Sequence, residues 1–196
     1  VFYDEWAYGF QDSLKNSLAL ALTFHEFFRH TDFIDMAGFT MATGWFDFTR
    51  TAATINSKGL IFQLYQQHFG AIPVAVGGDL PPPKPAYPIG GDQPRVNTGS
   101  ANWPLDVSAS LTADGQNLIV AVVNANEQAH TLTLKLESFL AKAQGECWKY
   151  TGTGLAARNA VNKPPEILVT NAPFDASNLQ LRIAPLSVEL YKFTKA

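Results

Sequence analysis

The chain has 196 residues, 46% of them hydrophobic and 12% aromatic, which is enough apolar material for one sizeable core or two small ones. A formal net charge of -3 without any cluster of Lys or Arg excludes the electrostatic footprint of a nucleic-acid partner. The single cysteine, Cys147, excludes an intrachain disulfide and a cysteine-based zinc site, and no apolar run reaches the roughly eighteen residues of a bilayer-spanning helix, so no membrane partner is expected.

In chain order, the apolar opening Val1-Phe2-Tyr3 runs into Asp4-Glu5-Trp6 and predicts a strand that ends in charge. From Ser13 to His30 the apolar residues Leu14, Leu18, Leu22 and Phe28 recur at helical spacing, with Asp12 or Ser13 as N-cap. Phe33 to Thr43 reads as a buried strand containing Gly38, with Gly44-Trp45-Phe46 as its loop. Asn56-Ser57-Lys58 then precedes a second helix from Gly59 to about His68, stopped by Gly70 and Pro73. This β, α, β, α order with apolar strands implies parallel strands covered by helices over residues 1–76.

Residues 77–94 hold Gly77-Gly78, Pro81-Pro82-Pro83, Pro85, Pro88 and Gly90-Gly91, the composition of a linker or long wrapping loop. Over residues 95–196 the pattern changes to short alternating strands at Leu105–Leu111, Asn117–Asn124, Thr131–Leu136, Glu146–Tyr150, Glu166–Thr170, Asn178–Ile183 and Ser187–Phe193. Turn signals such as Ala113-Asp114-Gly115-Gln116 separate them, and strands at this spacing predict an antiparallel β-sandwich of jelly-roll type.

Tyr3-Asp4-Glu5-Trp6 at a strand end, Leu18-Ala19-Leu20-Ala21 and Phe27-Phe28-Arg29-His30-Thr31-Asp32 in the first helix, Met36-Ala37 in the next strand, Phe62 to Gly70 in the second helix and the closing Ala184-Pro185-Leu186-Ser187-Val188 follow one another in a familiar order. Together they resemble the C-terminal portion of the glycoside hydrolase family 51 α-L-arabinofuranosidases. The resemblance implies an α/β plus all-β chain: the last two βα units of a TIM (β/α)8 barrel, then the sandwich. It also implies retaining hydrolysis of terminal arabinofuranosyl groups in plant cell-wall polysaccharide, with Glu5 as nucleophile. Catalytic groups of such barrels stand at the C-terminal ends of strands, which is where the residue pattern puts Glu5.

A whole barrel takes about 250 residues, and the βαβα segment is less than a third of that. The acid/base glutamate is therefore expected outside this chain, on a second polypeptide or a portion absent from it. No metal or organic cofactor is required, and the partner is an arabinose-containing polysaccharide or oligosaccharide. Trp6, Tyr8, Met41 and Trp45 are the candidate substrate-binding residues, with barrel-rim packing as the competing role for Trp6 and Trp45; Asp4 is expected on the opposite strand face from Glu5.

Two departures from the family matter. Ala7-Tyr8-Gly9 stands where the family continues Asn-Val-Trp, and Met41 replaces a substrate-side amide. Pockets select sugars by hydrogen bonds to particular hydroxyls, so an endo-β-glucanase or xylan-active relative stays open. A non-catalytic carbohydrate-binding sandwich presenting Trp103, Trp148 and Tyr150 is the reading from another class. His25, His30, His68 and His130 lack carboxylate or cysteine partners at ligand spacing and read as structural or solvated. Cytoplasmic and secreted locations are both open.

Overall fold

A computed structural model describes residues 1–7, 11–40, 44–79 and 100–196. The chain opens with β1 (Phe2–Trp6), α1 (Leu14–Arg29) and β2 (Met36–Phe39), and β2 lies parallel to β1 with Phe2 opposite Met36 and Tyr3 opposite Ala37. Helix α1 forms because its apolar positions make one stripe: Leu14, Leu18, Ala21, Phe24 and His25 are all buried. Ser13 is its N-cap, accepting from Asn16 N–H at 3.2 Å, and Arg29 sits in the last turn where a cation suits the helix dipole.

The second strand is shorter than the apolar run predicted. The N–H groups of Phe33 and Ile34 both donate to the His30 carbonyl, so these residues close α1 instead of starting β2. A hairpin replaces the expected loop: β3 (Phe46–Phe48) pairs antiparallel with β4 (Ala53–Ile55), closed by Thr49 N–H on the Ala52 carbonyl at 2.8 Å. Three-residue strands are too short to leave a periodic signal in sequence.

Helix α2 (Ser57–His68) begins two positions before the sequence expectation because its first amides all find side-chain acceptors. Asn56 accepts from Gly59 N–H at 2.9 Å, and Asp12 accepts from Ser57 N–H and Lys58 N–H, both at 3.2 Å. Asp12 thus caps α2, not α1. Gly59 has no room for a side chain: a Cβ there would meet the Trp45 carbonyl oxygen at 2.4 Å.

The remaining strands are β5 (Ile72–Val74), β6 (Asp106–Leu111), β7 (Asn117–Asn124), β8 (His130–Thr133), β9 (Gln144–Gly152), β10 (Ile167–Asp175), β11 (Gln180–Ile183) and β12 (Ser187–Thr194). Each of the seven strands expected after residue 95 has its counterpart among β6 to β12. Six of the strands form one antiparallel sheet in the order β10-β9-β12-β7-β6-β5, and β8 pairs with β11 separately. Pro73 is tolerated in β5 because β5 is an edge strand, where a missing N–H breaks no ladder bond.

The sheet is covered on both faces, so its middle strands are apolar on both sides. In β7, Ile119, Ala121 and Val123 join the core shared with α1 and α2, while Leu118, Val120 and Val122 join the core closed by Leu132, Leu181 and Ile183 of β8 and β11. Strand β6 breaks the pattern on the helix side, where Asp106, Ser108 and Ser110 are buried polar residues.

Candidate functional site

Glu5 is the next-to-last residue of β1, at the end from which the chain runs toward α1. Pairing with β2 is irregular at this point: Tyr3 is opposite Ala37 and Trp6 opposite Phe39, so β1 fits one extra residue into the interval holding Asp4 and Glu5. Tyr3 and Trp6, three positions apart, both pack on Phe27 of α1, at centroid distances of 6.3 and 5.0 Å. Strict alternation would send them to opposite faces. The bulge lets both rings reach α1, and Asp4 and Glu5, which occupy the irregular interval, are both exposed. Glu5 is exposed, and its side chain makes no hydrogen bond or ion pair among the described residues.

Trp6 is half-buried, with edge contacts to Phe24, Phe27 and Phe39 at 5.9, 5.0 and 5.0 Å. Its carbonyl accepts from Thr40 N–H and Oγ1, tying the end of β1 to the end of β2, and its indole Nε1 is buried without a partner among the described residues. Trp45 stacks on Phe39 at 6.0 Å and meets Phe62 at 5.0 Å with its plane tilted by 46°, yet keeps 39% of its surface exposed. Trp6 and Trp45 therefore meet through one aromatic cluster built on Phe39 and Phe62. Tyr8 and Met41 lie outside the described residues.

A cleft of about 970 Å³ opens between the starts of α1 and α2, β3 and the chain between β9 and β10. Its walls carry Asp12, Asp47, Asn56 and Asn159, and each of these is bound to the fold. Asp47 accepts from Val161 N–H at 2.7 Å, Asn56 donates to the Gly44 carbonyl at 3.0 Å, and Asn159 Oδ1 accepts from the N–H groups of Glu166 and Ile167 at 3.0 and 2.9 Å. The amides of Leu14 and Lys15 are taken by the carbonyls of Ala157 and Leu155. The cleft is thus a seam joining the helix starts to the sheet, with Phe46 as an exposed aromatic wall.

The structure assembles one polar cluster that residue spacing does not reveal. His25 Nδ1 is 2.7 Å from Asp106 Oδ1 and Nε2 is 2.7 Å from Tyr65 Oη, while Arg29 Nη2 also donates to Asp106 Oδ1. Burial pulls the His25 imidazole below its ordinary pKa, against the pull of Asp106. Burial pushes the Asp106 carboxyl up, but the His25 hydrogen bond and the positive neighbours win and hold it below the usual carboxylate range. Burial raises the Tyr65 hydroxyl well above its ordinary value. The cluster lies in the helix–sheet seam and is structural. Spacing arguments miss it because its members come from α1, α2 and β6. Among the described residues no group of three or more His, Cys, Asp and Glu is placed to hold a metal ion.

The three aromatic residues expected to face sugar from the sandwich separate. Trp103 is 50% exposed, Trp148 is half-buried with His68 stacked on it at 4.0 Å, and Tyr150 is fully buried with its hydroxyl on the Ser57 carbonyl. Tyr150 is a core residue linking β9 to α2, not a surface one.

No protein-family model matches the sequence, and no curated protein matches it. Solved structures do match the fold. An α-L-arabinofuranosidase from Thermotoga maritima, in complex with arabinose, aligns with a TM-score of 0.72 at 20% identity over 96% of this chain and 42% of its own. A thermostable family 51 α-L-arabinofuranosidase from Thermotoga petrophila aligns with a TM-score of 0.77 at 19% identity over 96% of this chain and 42% of its own. A bifunctional glucanase–xylanase from a metagenome library aligns with a TM-score of 0.59 at 17% identity over 100% of this chain and 31% of its own. The chain thus has the fold of family 51 α-L-arabinofuranosidases, across about two fifths of the length of the two Thermotoga enzymes.

Proposed function

We propose that this chain is the nucleophile-bearing part of a retaining glycoside hydrolase acting on α-L-arabinofuranosyl groups of plant cell-wall polysaccharide. The observation that carries the reading is the place of Glu5: exposed at the C-terminal end of β1, beside a parallel strand, at a bulge. In this reading residues 1–76 are the last two βα units of a (β/α)8 barrel, 77–94 are the connection and 95–196 are a jelly-roll sandwich whose sheet also recruits β5.

The Glu5 carboxylate attacks the anomeric carbon while a carboxylic acid protonates the departing glycosidic oxygen, which gives a glycosyl ester on Glu5. The same partner, now a carboxylate, deprotonates a water that attacks the anomeric carbon from the face the leaving group vacated, which frees Glu5 and retains configuration. The two carboxyl groups need to stand roughly 5 to 5.5 Å apart. The partner acid comes from strands outside this chain, on the same polypeptide or a second one. Exposure of Phe2 at 59% and Met36 at 61%, on neighbouring strands, supports further strands covering this pair in the assembled enzyme. The exposed part of Trp45 is the stacking surface for the sugar in this reading, and no metal or organic cofactor enters the chemistry.

Met41, at the position of a substrate-side amide in the family, favours a second reading in which the polymer is a β-glucan or xylan cut internally. The test is a mechanism-based arabinofuranosyl label on the assembled enzyme, followed by peptide mapping. An adduct on Glu5 is expected. Labelling of another carboxylate, or full turnover with Glu5 unlabelled, overturns the assignment; labelling by an activated xylosyl analogue alone transfers it to the second reading.

A further inference from the structure

The β3–β4 hairpin follows directly on Trp45, the residue that stacks on Phe39 at the end of β2. Its two strands are three residues each and pair with no other strand among the described residues. A two-stranded hairpin is marginal by itself, so its place depends on tertiary anchors. Two are present. At the root, Asn56 donates from Nδ2 to the Gly44 carbonyl at 3.0 Å and from its N–H to the Trp45 carbonyl at 2.9 Å. Within β3, Asp47 Oδ2 accepts from Val161 N–H at 2.7 Å, a charge-assisted bond between residues 114 positions apart.

Val161 belongs to the chain between β9 and β10, and its turn is built to present that amide. Lys163 N–H donates to the Ala160 carbonyl at 3.2 Å, Asn162 has a φ of 60°, and Val161 has no positive φ. Together these define a type II turn with Val161 at its second position. Asn159, just before the turn, is held from two sides. Its N–H donates to Ser57 Oγ at 3.1 Å, and its side chain bonds the backbone of Glu166 and Ile167. The turn is thus fixed to α2 and β10, and Asp47 meets a donor whose place the sheet has set.

We infer that the turn at residues 160–163 is a positioning element for the sugar site: through Asp47 it sets the place of the hairpin and so of the Trp45 ring, which rests on the proposed stacking of Trp45 on the sugar. Asp47 and Val161 are positioning residues and touch no substrate. The contacts of Trp45 with Phe39 and Phe62 are apolar and non-directional, so they keep the ring in the cluster without fixing which part of it is presented. Direction comes from the hydrogen bonds on either side of it, at Gly44 and Trp45 from Asn56 and at Asp47 from Val161. The all-β half of the chain thereby contributes to sugar affinity without supplying a sugar contact.

Proline is favoured at the second position of a type II turn, so Val161→Pro deletes the N–H donor and keeps the turn. Asp47→Ala deletes the acceptor, and Asp47→Asn retains one. In the 196-residue chain, Val161→Pro and Asp47→Ala are each expected to speed exchange of the Thr49 amide, which closes the hairpin on the Ala52 carbonyl, by at least about threefold, with Asp47→Asn close to the unaltered chain. In the assembled enzyme acting on an arabino-oligosaccharide, both are expected to raise KM at least about threefold, with kcat changed by less than about twofold. Trp45→Ala should raise KM as well, and adding Asp47→Ala to it should raise KM no further, because the ring being positioned is gone. Unchanged Thr49 exchange, unchanged KM, or a cost of Asp47→Ala that persists in full without Trp45 overturns the inference. The two single variants alter different elements, so a folding defect in one leaves the other to decide. An arabinofuranosyl adduct on Glu5 with unaltered KM in Val161→Pro refutes the role of the turn alone, whereas absence of that adduct removes the underlying reading and the inference together.

Discussion

His25 and Asp106 stand 81 positions apart in the chain, yet His25 Nδ1 lies 2.7 Å from Asp106 Oδ1, with their side chains 0% and 2% exposed. The pair joins α1 to β6, and Arg29 and Tyr65 complete its hydrogen bonding except at Asp106 Oδ2, which is buried without a partner among the described residues. Removing one member strands a buried polar or charged group, so Asp106→Ala is expected to cost about 3 kcal/mol. Chemical denaturation read by circular dichroism checks this; a loss within the scatter of surface substitutions would show that the cluster carries no stability.

The same cluster sets an acid limit. The folded state holds His25 below its ordinary pKa, so the unfolded chain takes up the proton first, and stability falls as pH drops below about 6.5. Asp106 is lowered too, so its contribution is complete above about 3.9 and is lost as pH falls through the folded value. His68, lowered by partial burial, adds to the upper limb. A two-stage decline of Tm on acidification is expected. His25→Leu should flatten the upper stage, and an unchanged slope there would remove His25 from the account.

Glu5→Gln should leave Tm unchanged, since Glu5 is exposed and unbonded among the described residues, and should lower kcat in the assembled enzyme by at least about a thousandfold. Steady-state kinetics on an aryl arabinofuranoside gives the value. Turnover at the original rate would end the nucleophile assignment.

Asp12→Ala removes the acceptor for Ser57 N–H, Ser57 Oγ and Lys58 N–H, and a loss of about 1 to 2 kcal/mol is expected from the missing cap. Amide exchange should localise the effect to the first turn of α2. Faster exchange at the start of α1 instead would assign the cap to the wrong helix.

Gly59→Ala forces its Cβ to 2.4 Å from the Trp45 carbonyl and 2.7 Å from the Ile55 side chain. The carbonyl is fixed by the Asn56 N–H at 2.9 Å, so the strain cannot be relieved by a rotamer change. A cost of about 1 to 3 kcal/mol and a shifted Trp45 fluorescence are expected.

The elements that local chemistry decides were legible in the residues. Both helices follow from apolar stripes with Ser13 and Asn56 beside them, and β7 appears with the bounds its turn residues mark. These features rest on neighbours within a few positions, where periodicity and caps act. What tertiary structure alone decided involves residues far apart: Asp12 capping the second helix instead of the first, the bulge that lets Tyr3 and Trp6 both pack on Phe27, the burial of Tyr150 under α2, and the meeting of His25 with Asp106. A carboxylate or imidazole looks the same in sequence whether solvent or another element surrounds it. Its neighbours, and with them its charge and its role, exist only after the sheet and helices close on each other.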